Sequence, residues 1–501
     1  MSARSPLYLD YAATTPVDPA VAAAMLECLT AGGDFGNPAS AHALGGAAAA
    51  RVRAARGQVA ALIKAAAEEI VFTSGATESN NLAILGVARA NVDRGRHVLT
   101  ARTEHKAVLD PCKRLEKEGF RVSYLQPARS GVIDPEAFAA ALRPDTVLAS
   151  IMGANNEIGV LQDLRALGAI CRERGVAFHS DCAQAAGKVP LDVRALPVDL
   201  ISFTAHKIYG PKGAGALYVR RGAKGLLQPL MYGGGQERQL RPGTLPTHQI
   251  VGFGLACELA AHELTEEAAR LTALRERLWS GLERLGGVHL NGDGAPRLPG
   301  ILNVSFEGVQ GESLVAGLGE IAVSTGAACS SDSPDPSYVL RALGRDTELA
   351  QASLRFSLGR FTVAADIDAA LHAIEPVVRR LRALLPASRP GGAAESAHGG
   401  ASSSATLVSG EAGGPGQETW VRFELLVSED SVKDARFKAF GCPHTTDVAA
   451  WLCGELRGRT RGSLIPGTPR AWAAARGVPT EKLGRLLVVE DALRACLSHW
   501  P

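Results

Sequence analysis

Short apolar runs alternate with amphipathic stretches through the first 250 residues. Glu69-Ile70-Val71-Phe72-Thr73, His97-Val98-Leu99-Thr100, Val122-Ser123-Tyr124-Leu125 and Thr146-Val147-Leu148-Ala149-Ser150-Ile151 read as strands. Val176-Ala177-Phe178-His179 and Val198-Asp199-Leu200-Ile201-Ser202-Phe203 read the same way. Helical spacing lies between them, as over 164–174. The alternation predicts right-handed βαβ units and a mostly parallel sheet. The runs are apolar on both faces, as a sheet covered by helices on both sides requires. A large α/β domain is therefore expected over 1–250. From residue 251 a long helical stretch, 252–285, is followed by shorter runs such as Ile301-Leu302-Asn303-Val304-Ser305-Phe306. A smaller α+β domain is expected over 251–386.

Residues 387–417 are mostly Gly, Ser, Ala and Pro, and read as a flexible linker. Such a chain would separate its ends by about 30 Å on average. Residues 418–501 read as a third unit. Val421 to Val427 and Ala435 to Phe440 alternate like paired strands, and 447–457 and 490–497 are helical.

Composition narrows the function. The chain has 501 residues, too many for one core. A formal net charge of +2 argues against a broad nucleic-acid footprint. Arg51, Arg53 and Arg56 recur at helical spacing and read as a solvated helix face. No apolar run is long enough to span a bilayer, and residues 1–16 lack the pattern of an export signal. Nine cysteines, an odd count without a Cys-x-x-Cys pair, fit neither a disulfide framework nor a zinc knuckle. A cytoplasmic enzyme is expected, with neither nucleic acid nor membrane as partner.

In parallel sheets ligands bind beyond the carboxyl ends of the strands. Four strand ends carry polar groups: Ser74-Gly75-Ala76-Thr77-Glu78, Asn155-Asn156-Glu157, Asp181-Cys182-Ala183-Gln184 and Thr204-Ala205-His206-Lys207. The first opens a helix, whose free N–H groups suit a phosphate. Asp181 could hold a pyridine nitrogen, making the ring an electron sink. Lys207, desolvated at a strand end, could form a Schiff base. Singly these residues read as an N-cap, a helix cap and a solvated lysine. Together they point to one cofactor.

These motifs, with Tyr8-Leu9-Asp10-Tyr11, Gly36-Asn37-Pro38, Thr103-Glu104-His105-Lys106, Gly233-Gly234-Gly235-Gln236-Glu237-Arg238 and Arg355-Phe356-Ser357-Leu358-Gly359-Arg360, run through residues 7–385. The chain resembles the IscS/NifS-type cysteine desulfurases, class-V aminotransferase relatives of the fold-type I pyridoxal-phosphate enzymes. In such a fold the first residues also join the small domain. The resemblance implies pyridoxal 5'-phosphate as cofactor, Lys207 as its Schiff-base lysine and Asp181 at the pyridine nitrogen. It implies Gln184 at the ring hydroxyl and His105 stacked on the ring as a proton carrier. Ala76, Thr77, Asn156, Thr204 and His206, with Thr244 from a homodimer partner, complete the cofactor site. Pro242, beside Thr244, departs from the family pattern. Asn37, Asn156 and Arg355 are implied as holders of the carboxylate of L-cysteine, an Arg fork fitting such a group at two points.

Cys329 lies in a small, polar, Pro-bearing stretch, 323–336, expected to be a surface loop. By resemblance it is the catalytic nucleophile, taking sulfur as a persulfide and leaving L-alanine. The sulfur would pass to an iron–sulfur scaffold protein or another acceptor. A selenocysteine lyase or another transferase on the same fold is the alternative, and Cys329 speaks against transamination, which needs no thiol.

Residues 420–497 resemble an IscU/NifU-type scaffold through Val432-Lys433-Asp434-Ala435-Arg436-Phe437-Lys438-Ala439-Phe440-Gly441-Cys442 and Val489-Glu490-Asp491-Ala492-Leu493. Of the family's ligands only Cys442 is in place. Gln417, Thr419, Gly484 and Arg485 stand where another cysteine, an aspartate and a His-Cys pair are usual. One thiolate cannot hold a cluster that takes four ligands, so no metal is expected, although Cys329 could be a shared cluster ligand. Cys442 either accepts sulfur from Cys329 or sits in a unit that only docks, the second being favoured by the lost ligands.

Overall fold

The structure is a computed structural model that describes residues 7–223, 227–309, 311–318, 321–325, 336–384, 406–414, 419–479 and 482–500. Cys329 and Gln417 fall outside these residues. The chain divides into two compact units at residues 387 and 388.

In chain order the first unit contains β1 (Leu7–Tyr8), α1 (Pro19–Leu26), α2 (Ala43–Leu62), β2 (Ile70–Thr73), α3 (Ala76–Ala90), β3 (His97–Ala101), α4 (Lys106–Lys117) and β4 (Arg121–Leu125). It continues with α5 (Pro135–Ala141), β5 (Thr146–Ser150), α6 (Leu164–Glu173), β6 (Ala177–Asp181), β7 (Leu200–Thr204), β8 (Gly215–Val219) and α7 (Thr247–Glu283). Next come β9 (Val288–Leu290), β10 (Ile301–Phe306), α8 (Gly311–Gly317), β11 (Ile321–Ala322), β12 (Ser324–Thr325), α9 (Tyr338–Ala342), α10 (Thr347–Gln351), β13 (Ser353–Ser357) and α11 (Ala364–Leu384).

Seven strands form one sheet in the order β2-β8-β7-β6-β5-β3-β4. β4, β3, β5, β6 and β7 are parallel, and β8 runs antiparallel to both its neighbours. β2 therefore runs with the parallel set, and the carboxyl ends of β2, β5, β6 and β7 open on one rim. Every residue of β3, β5, β6 and β7 is buried, the pattern expected of strands with helices on both faces. A second, antiparallel sheet has the order β12-β13-β10-β9, and β1 pairs with β11.

The expected division at residue 250 falls inside one helix. α7 runs unbroken for 37 residues. Its early residues, Phe253 and Ala256, belong to the core under the large sheet. Leu271, Leu274, Leu278 and Leu282 belong to the core of the second sheet, with Leu302 and Phe356. One continuous helix thus serves two cores.

The second unit contains β14 (Thr406–Gly414), β15 (Thr419–Ser428), β16 (Ser431–Phe440), α12 (Pro443–Glu455), α13 (Pro469–Arg476) and α14 (Leu483–Ser498), with its strands in the order β14-β15-β16. Val421, Phe423 and Leu425 meet Leu452, Trp472, Val489 and Leu493 in its core. β14 corrects the expectation that all of 387–417 is linker: nine of those residues pair in register with β15. The glycines there permit close approach rather than flexibility. A Cβ on Gly410 would lie 2.2 Å from the backbone nitrogen of Cys496.

Arg56 corrects the reading of a solvated arginine face. It grips Glu237, whose side chain is 1% exposed, at 2.5 Å. Glu237 also accepts from the Phe72 N–H at 2.7 Å, while Arg56 and Arg238 donate to the Ile70 carbonyl. This cluster satisfies the open edge of β2, which would otherwise offer unpaired backbone groups. Removing one partner of a buried pair strands the other charge. Arg56→Ala is expected to lower stability by about 3 kcal/mol, read as an earlier midpoint in urea unfolding.

Candidate functional site

The rim of the large sheet encloses a cavity of about 600 Å³. Ala76, Thr77, His105, Asn156, Asp181, Gln184, Thr204, His206, Lys207 and Arg355 all line it, as the sequence predicts. Arg355 arrives from the middle of β13, and the others sit at or follow the ends of strands in the large sheet.

β2 hands over to α3 at Gly75, whose φ of +155° suits glycine. The first N–H groups of α3 have no acceptor within the helix. Thr77 and Thr204 bring hydroxyls to the same wall, and Thr204 donates to the Ala214 carbonyl at 3.0 Å. On the opposite strand end, Asp181 accepts from Asn80 Nδ2 at 2.6 Å and from the Ala183 N–H at 2.9 Å. The carboxylate is thus buried and fixed in direction.

His105 caps α4: its Nδ1 accepts from the Ala107 N–H at 3.0 Å. That bond leaves the ring proton on Nε2. Burial pushes the imidazole below its ordinary range, with Lys207 acting in the same direction and Asp181 against it. His105 is therefore a neutral ring with a defined tautomer. Behind it Glu104 is fully buried, and burial raises its carboxyl well above the usual range.

Lys207 donates to the carbonyls of Ala12 at 2.5 Å and Ala13 at 2.6 Å. Gln184 donates to the same Ala12 carbonyl at 2.8 Å. Arg355 donates to the Asn156 carbonyl at 2.9 Å and pairs with Asp10 at 2.7 Å. Its Nε and the Asn156 Oδ1 are buried without a protein partner. Such groups at a cavity wall await a polar ligand.

Two expected residues lie elsewhere. Asn37 is exposed, and its Oδ1 accepts from the Ala39 N–H at 2.9 Å in a local turn. It does not line the cavity that holds Arg355 and Asn156. Thr244 lines a separate hollow with Ser74 and Arg241. The sequence reading missed Asn80, although its spacing of four from Ala76 puts both on one face of α3. It also missed Lys188, discussed below.

The cysteines separate by environment. Burial pushes Cys112, Cys171, Cys182 and Cys496 up to about 12. Cys442, which caps α12, is different. Burial raises its thiol, but the Thr445 hydroxyl at 3.3 Å, the N–H groups of Thr445 and His444, and Arg485 bring it below its ordinary value. Among the described residues no three His, Cys, Asp or Glu side chains converge on a metal position, and no helix is long and apolar enough to cross a membrane.

Fold and cavity together define a class: a mostly parallel sheet whose rim offers an anion turn, a buried carboxylate, a capped imidazole and an amine. The family model of class-V aminotransferases matches residues 7–370. The cysteine desulfurase IscS of Shewanella baltica is 56% identical over 382 residues, 76% of this chain and 95% of that protein. A solved NifS-like protein superposes with a TM-score of 0.70 at 38% identity, covering 75% of this chain and all of that one. A structure described as SspA in complex with cysteine gives 0.64 at 37%, covering 71% and 99%. The chain belongs to the class-V aminotransferase family, among its IscS/NifS-type cysteine desulfurases.

That family uses pyridoxal phosphate, and the residues present fit it. The helix turn suits the phosphate, Asp181 the ring nitrogen and Lys207 the aldehyde carbon, while the partnerless Asn156 Oδ1 and Arg355 Nε remain for further polar groups. Asn80→Ala is expected to weaken cofactor binding about tenfold, since a hydrogen bond to a charged group contributes about 1.5–3 kcal/mol. Titrating the apoprotein with pyridoxal phosphate, followed by visible absorbance, measures it.

Proposed function

We propose that the chain is a pyridoxal-phosphate-dependent cysteine desulfurase that converts L-cysteine to L-alanine and passes the sulfur to Cys329. One observation carries the reading: Asp181, Lys207, His105 and Arg355, from four separated segments, line one cavity.

Bound pyridoxal phosphate supplies an electron sink for the carbanion next to the substrate nitrogen. The protein's own groups do the rest. Ala76, Thr77, Thr204 and His206 hold the phosphate, with Thr244 supplied by the second subunit of a homodimer. Asp181 keeps the ring nitrogen protonated, and Gln184 meets the ring hydroxyl. Arg355, steered by Asp10, and the Asn156 side chain take the substrate carboxylate. Lys207 would hold the cofactor aldehyde, and its amine is the group placed to move the substrate α-proton. His105, neutral with its proton on Nε2, can give or take a proton at the substrate. The Cys329 thiolate attacks the substrate sulfur. A sulfur–sulfur bond forms, the carbon–sulfur bond breaks, and its electron pair stays on carbon, which then takes a proton to give alanine.

The second unit is read as an IscU/NifU-like domain that has lost most cluster ligands and only docks, occupying or modulating the surface where a scaffold protein would bind in the cytoplasm. The lowered thiol of Cys442 favours a second reading, in which that residue accepts sulfur from Cys329.

Mass spectrometry after incubation with cysteine tests both levels. Addition of one sulfur to Cys329, abolished in Cys329→Ser, is expected. Lys207→Ala should lose the yellow colour and all alanine formation. Sulfur on Cys442 that vanishes in Cys329→Ser selects relay, and its absence selects docking.

A further inference from the structure

Lys188 lies seven residues beyond Asp181 and has no part in the roles assigned above. The chain reaches it through Gly187, at φ +72°, where a Cβ would meet Ile208 Cγ2 at 2.8 Å. That turn carries the Lys188 side chain back to the cofactor wall. Its amine donates to Gln184 Oε1 at 2.8 Å. Gln184 in turn donates through Nε2 to the Ala12 carbonyl, which also accepts from Lys207. The amide of Gln184 therefore has one sensible orientation. Flipped, it would set its NH2 against an ammonium and its oxygen against a carbonyl.

We propose that Lys188 is a positioning residue of the cofactor site: its amine fixes the amide of Gln184, and its charge sets how readily the nitrogen of Lys207 takes a proton. The inference rests on the reading of Lys207 as the lysine that carries the cofactor.

The two amines border one small cavity of about 40 Å³, together with Tyr11, Tyr209, Glu267 and Arg360. Charges face Lys188 from several elements. Lys207 and His206 stand on the turn after β7, Arg355 on β13 and Glu267 on α7. Arg360 is matched there by Asp18, Glu263 and Glu267. Burial is the largest influence on Lys188, Lys207 and Arg355 add to it, Glu267 opposes it, and the ammonium is brought down to about 7. Its charge therefore changes within the working range of a neutral-pH enzyme. A cation at Lys188 disfavours a second cation on the nitrogen of Lys207, because the two lie in one poorly solvated space. Filling space or tying a turn would give Lys188 no such influence.

The test uses the full-length enzyme loaded with pyridoxal phosphate and no substrate, its visible absorbance followed against pH. Lys188→Met removes the charge. It should move the spectral midpoint to higher pH, lowering the midpoint proton concentration by about threefold or more. Lys188→Arg, charged at every accessible pH, should move the midpoint the other way. Lys188→Gln keeps a donor for Gln184 without the charge. It should shift as Met does, and it serves if Met fails to fold. A wild-type band with variants that all titrate at its midpoint overturns this inference alone. A wild type without a cofactor band, under saturating pyridoxal phosphate, overturns the reading of Lys207 and this inference with it.

Discussion

The site depends on one extended segment, residues 7–15, that binds both halves of the first unit. β1 pairs with β11, the Tyr11 N–H donates to the Ser357 carbonyl, and Asp10 grips Arg355. A few residues on, the Ala12 and Ala13 carbonyls take the Lys207 amine, and Thr14 and Thr15 bond to His206. Arg355 lies on the second sheet, and Lys207 follows a strand of the large one. They are held in register because both attach to the same stretch of backbone. Backbone carbonyls are well suited to this, since they carry no side-chain freedom to lose.

The site is also electrostatically divided. Asp181 is held by two amide donors, the Asn80 side chain and the Ala183 N–H. Lys207 donates to two backbone carbonyls. Neutral dipoles satisfy geometry without neutralising charge, so each group keeps its chemistry. His105 follows the same logic: capping α4 through Nδ1 fixes its tautomer.

Legibility in the sequence followed the range of the interactions. β2, β3, β5 and β7 were readable because each is a short apolar run buried on both faces. The rim residues were readable because they follow those runs directly, and a conjunction of unlike groups is hard to produce by accident. Long-range partners were not. Nothing near Arg56 announces Glu237, 181 residues away, so a helix-face reading prevailed over an edge-strand cap. Lys188 and Asn80 bond the cavity residues Gln184 and Asp181 directly, and local spacing shows only the second. β14 was misread because composition cannot distinguish a glycine that flexes from one pressed against a helix, as Gly410 is against α14.

If the second unit relays sulfur, one thiol among its described residues is suited to the task. A thiol attacks or accepts sulfur in proportion to its thiolate fraction and its access. Cys496, buried under β15, and Cys453, raised to about 11 by burial, fail on the first count. Cys442 meets both conditions: it is half-buried, stands at the start of a 13-residue helix, and has donors from Thr445 and His444 around it. Among the described cysteines of the second unit, Cys442 is therefore the one suited to take up sulfur, as the relay reading requires.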